Sequence, residues 1–237
     1  MSSFIGEFIG TMLLIIMGDG VVANVILNKT KGNNGGLIAI TFGWAIAVFL
    51  GVYASLYLGG KGHLNPAVSI AMVYLGEIDS NLAMTYIGAQ FAGAIAGAII
   101  VWIAYRQHFN ATPDGDTKLG VFCTSPSIRS SGNNVITEII GTFILVLGAK
   151  LMSHSDVKMG ALDALPVALL VLGIGLSLGG PTGYAINPAR DLGPRIAHFI
   201  LPIPQKRDSD WSYAWVPVIG PVIGALIAAV VYNMIKP

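Results

Sequence analysis

The chain has 237 residues, of which 54% are hydrophobic and only 11% charged. Its mean hydropathy is +0.72. Soluble chains carry roughly 25% charged residues, so the balance argues against a soluble protein and for one that lives in lipid. A net charge of +1 gives no pull towards nucleic acid, and a single cysteine, Cys123, excludes an intramolecular disulfide and any multi-thiolate metal site.

In chain order, Met1, Ser2 and Ser3 lead directly into Phe4 with no cationic stretch before it, so the first apolar segment reads as a retained span and not a cleaved signal. That span covers Phe4 to Leu27 and carries Glu7 and Asp19. Asn28 to Gly36 is a polar turn, and Leu37 to Leu58 is an uncharged second span. Gly59 to Leu64 then approaches Asn65-Pro66-Ala67, which opens a short apolar stretch to Leu75. Gly76 to Ser80 is an acidic turn, Leu82 to Tyr105 the third span, and Arg106 to Asn134 a long polar stretch. Val135 to Met152 is the fourth span, Ser153 to Gly160 a polar turn, and Ala161 to Leu178 the fifth span. Gly179 to Ile186 leads to a second tripeptide, Asn187-Pro188-Ala189, with an apolar stretch to Ile200. After a Pro-rich charged loop, Trp211 to Ile235 is the sixth span.

A helix needs about 20 apolar residues to cross a bilayer, so the stretches after the two tripeptides are too short. Proline is well placed in the first turn of a helix, where its missing N–H would be unpaired anyway. Each tripeptide therefore reads as the start of a half-helix dipping into the membrane. The order span, span, half-helix, span occurs twice. Glu7-Phe8-Ile9-Gly10-Thr11 also matches Glu138-Ile139-Ile140-Gly141-Thr142 at the same place in each half. The chain is thus expected to be an all-α membrane protein, one domain over 1–237. Its halves, about 1–105 and 134–237, are joined by a linker at 106–133. Three spans per half put the second half in inverted orientation, and interrupted segments at matching places are the sequence mark of a transport path.

Irregular backbone at membrane depth must be buried in protein or line a water-filled cavity. Two half-helix N-termini meeting at mid-membrane imply such a cavity, each presenting roughly half a positive charge. Asn65 and Asn187 stand at that point, with amide donors for a passing oxygen or, alternatively, as caps of their own helices. Glu7 and Glu138, carboxylates inside spans, are expected to accept the N–H groups of the re-entrant loop in their own half. The alternative, a proton-carrying pair, would belong to a proton-coupled carrier. Arg190 follows the second tripeptide and would face the path as a fixed charge and multiple donor. Adjacent helical residues do not face each other, which assigns Asp191 a loop partner and not Arg190. Small residues recur at every fourth position, as in Gly43, Ala47 and Gly51, or Ala89, Gly93 and Gly97. That spacing suits close helix packing or a thin pore wall.

The stretches His63-Leu64-Asn65-Pro66-Ala67-Val68-Ser69 and Gly183-Tyr184-Ala185-Ile186-Asn187-Pro188-Ala189-Arg190-Asp191 resemble the two signature loops of the aquaporin (major intrinsic protein) family. The resemblance covers the whole chain. It implies six tilted spans plus two half-helices, a pore in each subunit of a homotetramer, and a multi-pass protein of the cell membrane with both termini cytoplasmic. Charge alone does not favour that orientation. It leaves Lys61, Lys150, Lys158 and Lys236 inside, against nine cationic residues outside, opposite to the positive-inside rule.

Asp191, Arg195 and the Pro217-Val218 pair resemble the glycerol-conducting branch. By the same resemblance the selectivity filter is Phe42, Gly175, Tyr184 and Arg190. Phe42 and Tyr184 are its aromatic walls, Gly175 leaves width where water-selective members have histidine, and Arg190 binds hydroxyls. The stretch from Phe42 to Asn65 is longer than the family's usual spacing, so Trp44 competes with Phe42 as the aromatic. His63 is expected to line the path and not to bind metal; His108, His154 and His198 have no ligand spacing, and no cofactor is implied. Asp19 has no role in this reading, and Cys123 reads as incidental.

The expected function is a passive channel for glycerol and other small neutral solutes, with some water. Dihydroxyacetone, urea, hydrogen peroxide and small undissociated acids fit the same ring. A predominantly water-selective pore is the alternative within the family, and a proton-coupled carrier the alternative outside it. A membrane-embedded enzyme lacks a convincing nucleophile and base.

Overall fold

A computed structural model describes residues 3–153 and 160–236. His154 and Lys158, like Met1 and Ser2, lie outside the described residues. Among these residues the chain forms nine α-helices and one short 3-10 turn at Gly160–Leu162.

The first half contains α1 (Ser3–Ile26), α2 (Gly36–Tyr57), α3 (Pro66–Tyr74) and α4 (Ser80–Ala111). Next come α5 (Gly115–Phe122), α6 (Ser131–Met152) and α7 (Leu165–Thr182), then α8 (Pro188–Ile200) and α9 (Val216–Ile235). Six of them, α1, α2, α4, α6, α7 and α9, are long and apolar enough to cross a membrane. The two short ones that follow the tripeptides, α3 and α8, are not, in keeping with the half-helix expectation.

The polar stretch at 106–133 is not all linker. The third span continues to Ala111, and α5 follows at once. Asp114 caps α5, its carboxylate accepting the Thr117 N–H at 2.7 Å. Leu119, Val121 and Phe122 are buried against the core, which gives this polar-looking helix one apolar side. The fifth span runs on through Pro181 to Thr182 and stops at Gly183, whose φ of 77° is the left-handed geometry that glycine adopts without strain.

Packing follows the repeat. In the first half α1 lies between α2 and α4; in the second, α6 lies between α7 and α9. The halves join through α2 against α7, and each half-helix leans on the last span of the other half, α3 on α9 and α8 on α4. The glycine faces bring backbones into contact. A Cβ on Gly93 of α4 would sit 2.3 Å from the Phe8 carbonyl oxygen, and one on Gly224 of α9 would sit 2.3 Å from that of Ile139. Phe8 and Ile139 directly follow Glu7 and Glu138, so the same close crossing recurs at the same place in each half. With little hydrophobic drive between helices in lipid, this intimate van der Waals contact supplies the cohesion. Large apolar side chains such as Ile38, Phe42, Ile46, Leu169 and Leu176 are left exposed on the outer surface, where acyl chains would cover them.

Candidate functional site: a polar seam through the helix bundle

Asn65 and Asn187 are both extended in backbone, with φ of −155° and −159°, and both cap the helix that follows. The Asn65 side-chain oxygen accepts the Ala67 N–H at 2.9 Å. That of Asn187 accepts the N–H groups of Ala189 at 3.0 Å and Arg190 at 3.3 Å. The amide nitrogens then cross over. Asn65 Nδ2 donates to the carbonyl of Ile186, and Asn187 Nδ2 to the carbonyl of Leu64, each at 2.8 Å. Capping and meeting are therefore not alternatives, since one amide does both. One N–H of each amide is spent on the opposite loop, and the second remains for the cavity.

These loops are held in an unusual shape. Leu64, Tyr184 and Ile186 have φ of 50°, 39° and 42°, a region that costs a bulky or β-branched residue energy and persists only where the surroundings enforce it. The two buried glutamates enforce it. Glu7 accepts N–H groups from Lys61 at 3.3 Å, His63 at 3.0 Å and Leu64 at 2.8 Å. It also accepts from the Ser55 hydroxyl at 3.0 Å and the Gln90 amide at 2.9 Å. Glu138 accepts from the Thr182 hydroxyl at 2.7 Å and from the N–H groups of Ala185 at 3.0 Å and Ile186 at 2.7 Å. With those N–H groups taken on the far side, the carbonyls of Gly62, His63, Tyr184 and Ala185 accept no hydrogen bond among the described residues and remain as acceptors.

The residues that carry these carbonyls line a cavity of about 140 Å³, together with Asn65, Asn187 and Arg190. The rest of the lining is largely apolar, with Leu14, Val48, Val52, Val68, Leu145, Val167 and Val171. A water occupies about 30 Å³ in the liquid, and ordinary ligand pockets begin near roughly 300 Å³. The cavity therefore takes a short file of small molecules. His63 lies on its wall, its Nδ1 3.0 Å from the Ser69 hydroxyl and its ring edge-on to Tyr86. No group of three or more potential metal-ligating side chains occurs among the described residues.

At one end of the cavity the structure corrects the sequence reading. Phe42 is 51% exposed and faces outward from α2, so it is not on the path. Trp44 is, being 4% exposed and part of the cavity wall. Two residues along a helix turn the side chain by about 200°, which puts Phe42 and Trp44 on nearly opposite faces. The Arg190 guanidinium lies over the Trp44 ring, its central carbon 3.9 Å from the centroid. Gly18 of α1 makes room for that ring, since a Cβ there would stand 2.2 Å from it.

Gly175 is placed differently from expectation as well. It does not line the cavity, because the space beside it is filled. A Cβ on it would meet Thr41 at 2.4 Å and the Tyr184 ring at 2.8 Å, and one on Gly179 would meet the same ring at 2.8 Å. These two glycines form a bed into which Tyr184 recesses, and the width is gained through the tyrosine.

Asp191 has the loop partner expected of it. Its Oδ2 accepts from the Thr124 N–H at 2.8 Å and hydroxyl at 2.6 Å. Arg195, one turn on, grips the same carboxylate from Nε at 2.8 Å and Nη2 at 3.0 Å, both side chains being fully buried. Arg195 also donates to the carbonyls of Ser209, Asp210 and Thr124. The pair thus ties two surface loops to α8 directly behind Arg190.

Three participants had no role in the sequence reading. Gln90 donates to Glu7 and to Ser69, and a buried amide inside an apolar span was the signal that could have found it. Asp19 is fully buried, its Oδ1 3.4 Å from Arg190 Nη1. Thr124 lies far from Asp191 in sequence, and no local pattern points to it.

The comparisons with known proteins agree with this geometry. The family model described as "Major intrinsic protein" matches residues 1–232. The probable glycerol uptake facilitator protein of Thermotoga maritima is 54% identical, over 98% of this chain and 99% of that one. The glycerol uptake facilitator protein of Streptococcus pneumoniae is 50% identical, over 99% of each. The aquaglyceroporin of Plasmodium falciparum superposes with a TM-score of 0.87 at 33% identity, over 98% of this chain and 95% of that one. Six apolar spans, two half-helices capped by crossed asparagines, and a family match over almost the whole length place this chain in the major intrinsic protein family.

Proposed function

We propose that the chain is a passive channel for glycerol and other small neutral solutes, with some water. The observation that carries this reading is the mixed lining of the cavity, which combines residues with free carbonyls, two asparagines and Arg190 with a set of aliphatic side chains. The polar part of such a lining exchanges hydrogen bonds with a polyol's hydroxyls while its carbons slide along the aliphatic side chains. Relatives named for glycerol uptake, at 50–54% identity over nearly the full length, support the substrate.

The filter consists of Trp44, Tyr184 and Arg190, with Gly175 acting through Tyr184. Among the described residues, Arg190 Nε and Nη2 make no hydrogen bond to protein, so they are the donors for a solute oxygen. Asn65 and Asn187 are the pore centre, and Glu7, Glu138, His63 and Asp191 hold the loops in place. The two inverted halves act as one channel domain. It sits in the cell membrane as a homotetramer with both termini cytoplasmic, needs no cofactor and performs no chemistry. Dihydroxyacetone, urea, hydrogen peroxide and undissociated small acids, being narrow and neutral, are further solutes.

Light-scattering swelling of proteoliposomes, with water flux measured alongside, tests the reading. Glycerol flux well above that of empty vesicles, and never beyond the gradient, is expected. Water flux without glycerol flux would make this a water-selective pore, and accumulation driven by a pH gradient would make it a carrier.

A further inference from the structure

Asp19 sits about two-thirds of the way along α1 with no exposed surface. A carboxylate at that depth is costly and calls for a functional partner. Its Oδ1 lies 3.4 Å from Arg190 Nη1, and its Oδ2 has no hydrogen-bond partner among the described residues. The same nitrogen, Nη1, is 3.4 Å from the Phe122 carbonyl, and the guanidinium rests over Trp44, whose ring packs on the neighbouring Gly18. One cation is thus held from three sides, and only one of the three carries a charge.

The surrounding field shows why that matters. Two half-helix N-termini converge on the asparagines, each roughly half a positive charge, and Arg190 adds a full one. Helix N-termini bind anions readily, and pores ringed by arginine or lysine select for them. A path with only these charges would repel cations and draw in small anions. The other buried carboxylates are already committed. Asp191 is held by Arg195 and Thr124, Asp210 by Arg129 and Ser212, and Glu7 and Glu138 by the loop N–H groups. Asp19 alone touches Arg190 and keeps an oxygen free.

We propose that Asp19 is a specificity-determining positioning residue of the filter: it holds the Arg190 guanidinium on the α1 side and cancels its charge, so that small anions are rejected as well as cations. The inference rests on the reading that Arg190 stands in the conduction path. It adds to that reading the residue that keeps a cation-lined filter neutral.

The test is a charge cycle in proteoliposomes with matched amounts of monodisperse protein, using nitrate and methylammonium as probes. Asp19→Asn should raise nitrate permeation about tenfold, equivalent to one 1.4 kcal/mol step, and Asp19→Glu should bring it back down. Arg190→Gln should instead raise methylammonium permeation, by exposing the unopposed carboxylate. The double variant Asp19→Asn/Arg190→Gln has neither charge and should lose most of that methylammonium leak. It keeps the test open if the single Asp19 variant fails to fold. Methylammonium leak as large in the double variant as in Arg190→Gln alone overturns the proposal. So does nitrate permeation in folded Asp19→Asn at the wild-type level. Wild-type vesicles that pass water but no glycerol would overturn the glycerol reading and not the Asp19 proposal, which the ion ratios decide.

Discussion

The guanidinium of Arg190 lies over the indole of Trp44, 3.9 Å from its centroid. A cation–π contact is worth about 0.5–2 kcal/mol depending on how far water is excluded, enough to bias where the arginine rests. Trp44→Leu removes both the aromatic wall and this anchor. The glycerol-to-water permeability ratio is expected to fall by about tenfold, the equivalent of about 1.4 kcal/mol, in stopped-flow swelling. Phe42→Leu, on the outward face, should leave the ratio at the wild-type value. The reverse pattern would return the aromatic wall to Phe42.

Gly175 offers a sharper steric test than its distance from the lumen suggests. Even one methyl group there would press Thr41 and the Tyr184 ring at 2.4 and 2.8 Å. Gly175→Ala should push the tyrosine towards the path, and Gly175→His further. Glycerol flux is expected to drop about tenfold in the alanine variant, which corresponds to roughly 1.4 kcal/mol in the barrier, with water flux reduced far less. Equal losses of both solutes would mean that Tyr184 does not set the width.

Arg195 and Asp191 form a buried pair whose removal from one side leaves an uncompensated charge, at a cost of about 3–5 kcal/mol. Arg195→Met should lower the unfolding temperature in detergent strongly. Adding Asp191→Leu should recover only part of the loss, because the carbonyls of Ser209, Asp210 and Thr124 still lack their donor. Full recovery would show that the arginine serves the aspartate alone.

Two glycines on α4 make a matched control for helix contact. A Cβ on Gly93 would stand 2.3 Å from the Phe8 carbonyl oxygen, while one on Gly88 would meet open space. Gly93→Ala is expected to destabilise by about 1–3 kcal/mol through overpacking. Gly88→Ala should be neutral or stabilise by up to about 1 kcal/mol through its better helix propensity. Thermal unfolding of the two variants in one detergent decides the matter.

The features legible in the sequence were those that obey backbone rules. Proline after asparagine marks a capped helix start, and a carboxylate inside an apolar span must find donors. Glu7, Glu138, Asn65 and Asn187 are therefore found where the pattern puts them. The facing of α2 was not legible, because that helix is apolar almost all round and gives no contrast between the side of Phe42 and that of Trp44. Asp19 and Arg195 depend on partners 171 and up to 71 residues distant, which no local spacing encodes. Helix α5 was hidden by its polar composition, its apolar side amounting to little more than Leu119, Val121 and Phe122.

The bond from Asn65 to the carbonyl of Ile186 spans 121 residues. At a synthesis rate of about 5–20 residues per second, that interval is roughly 6–24 s on the ribosome. Throughout it the Asn65 amide donor is without the carbonyl it meets in the finished fold, although Glu7 and Ser55, which hold the loop before it, are already made. The lumen is therefore among the last parts of the protein to acquire its shape, because half of the residues that line it come from Leu145 onwards.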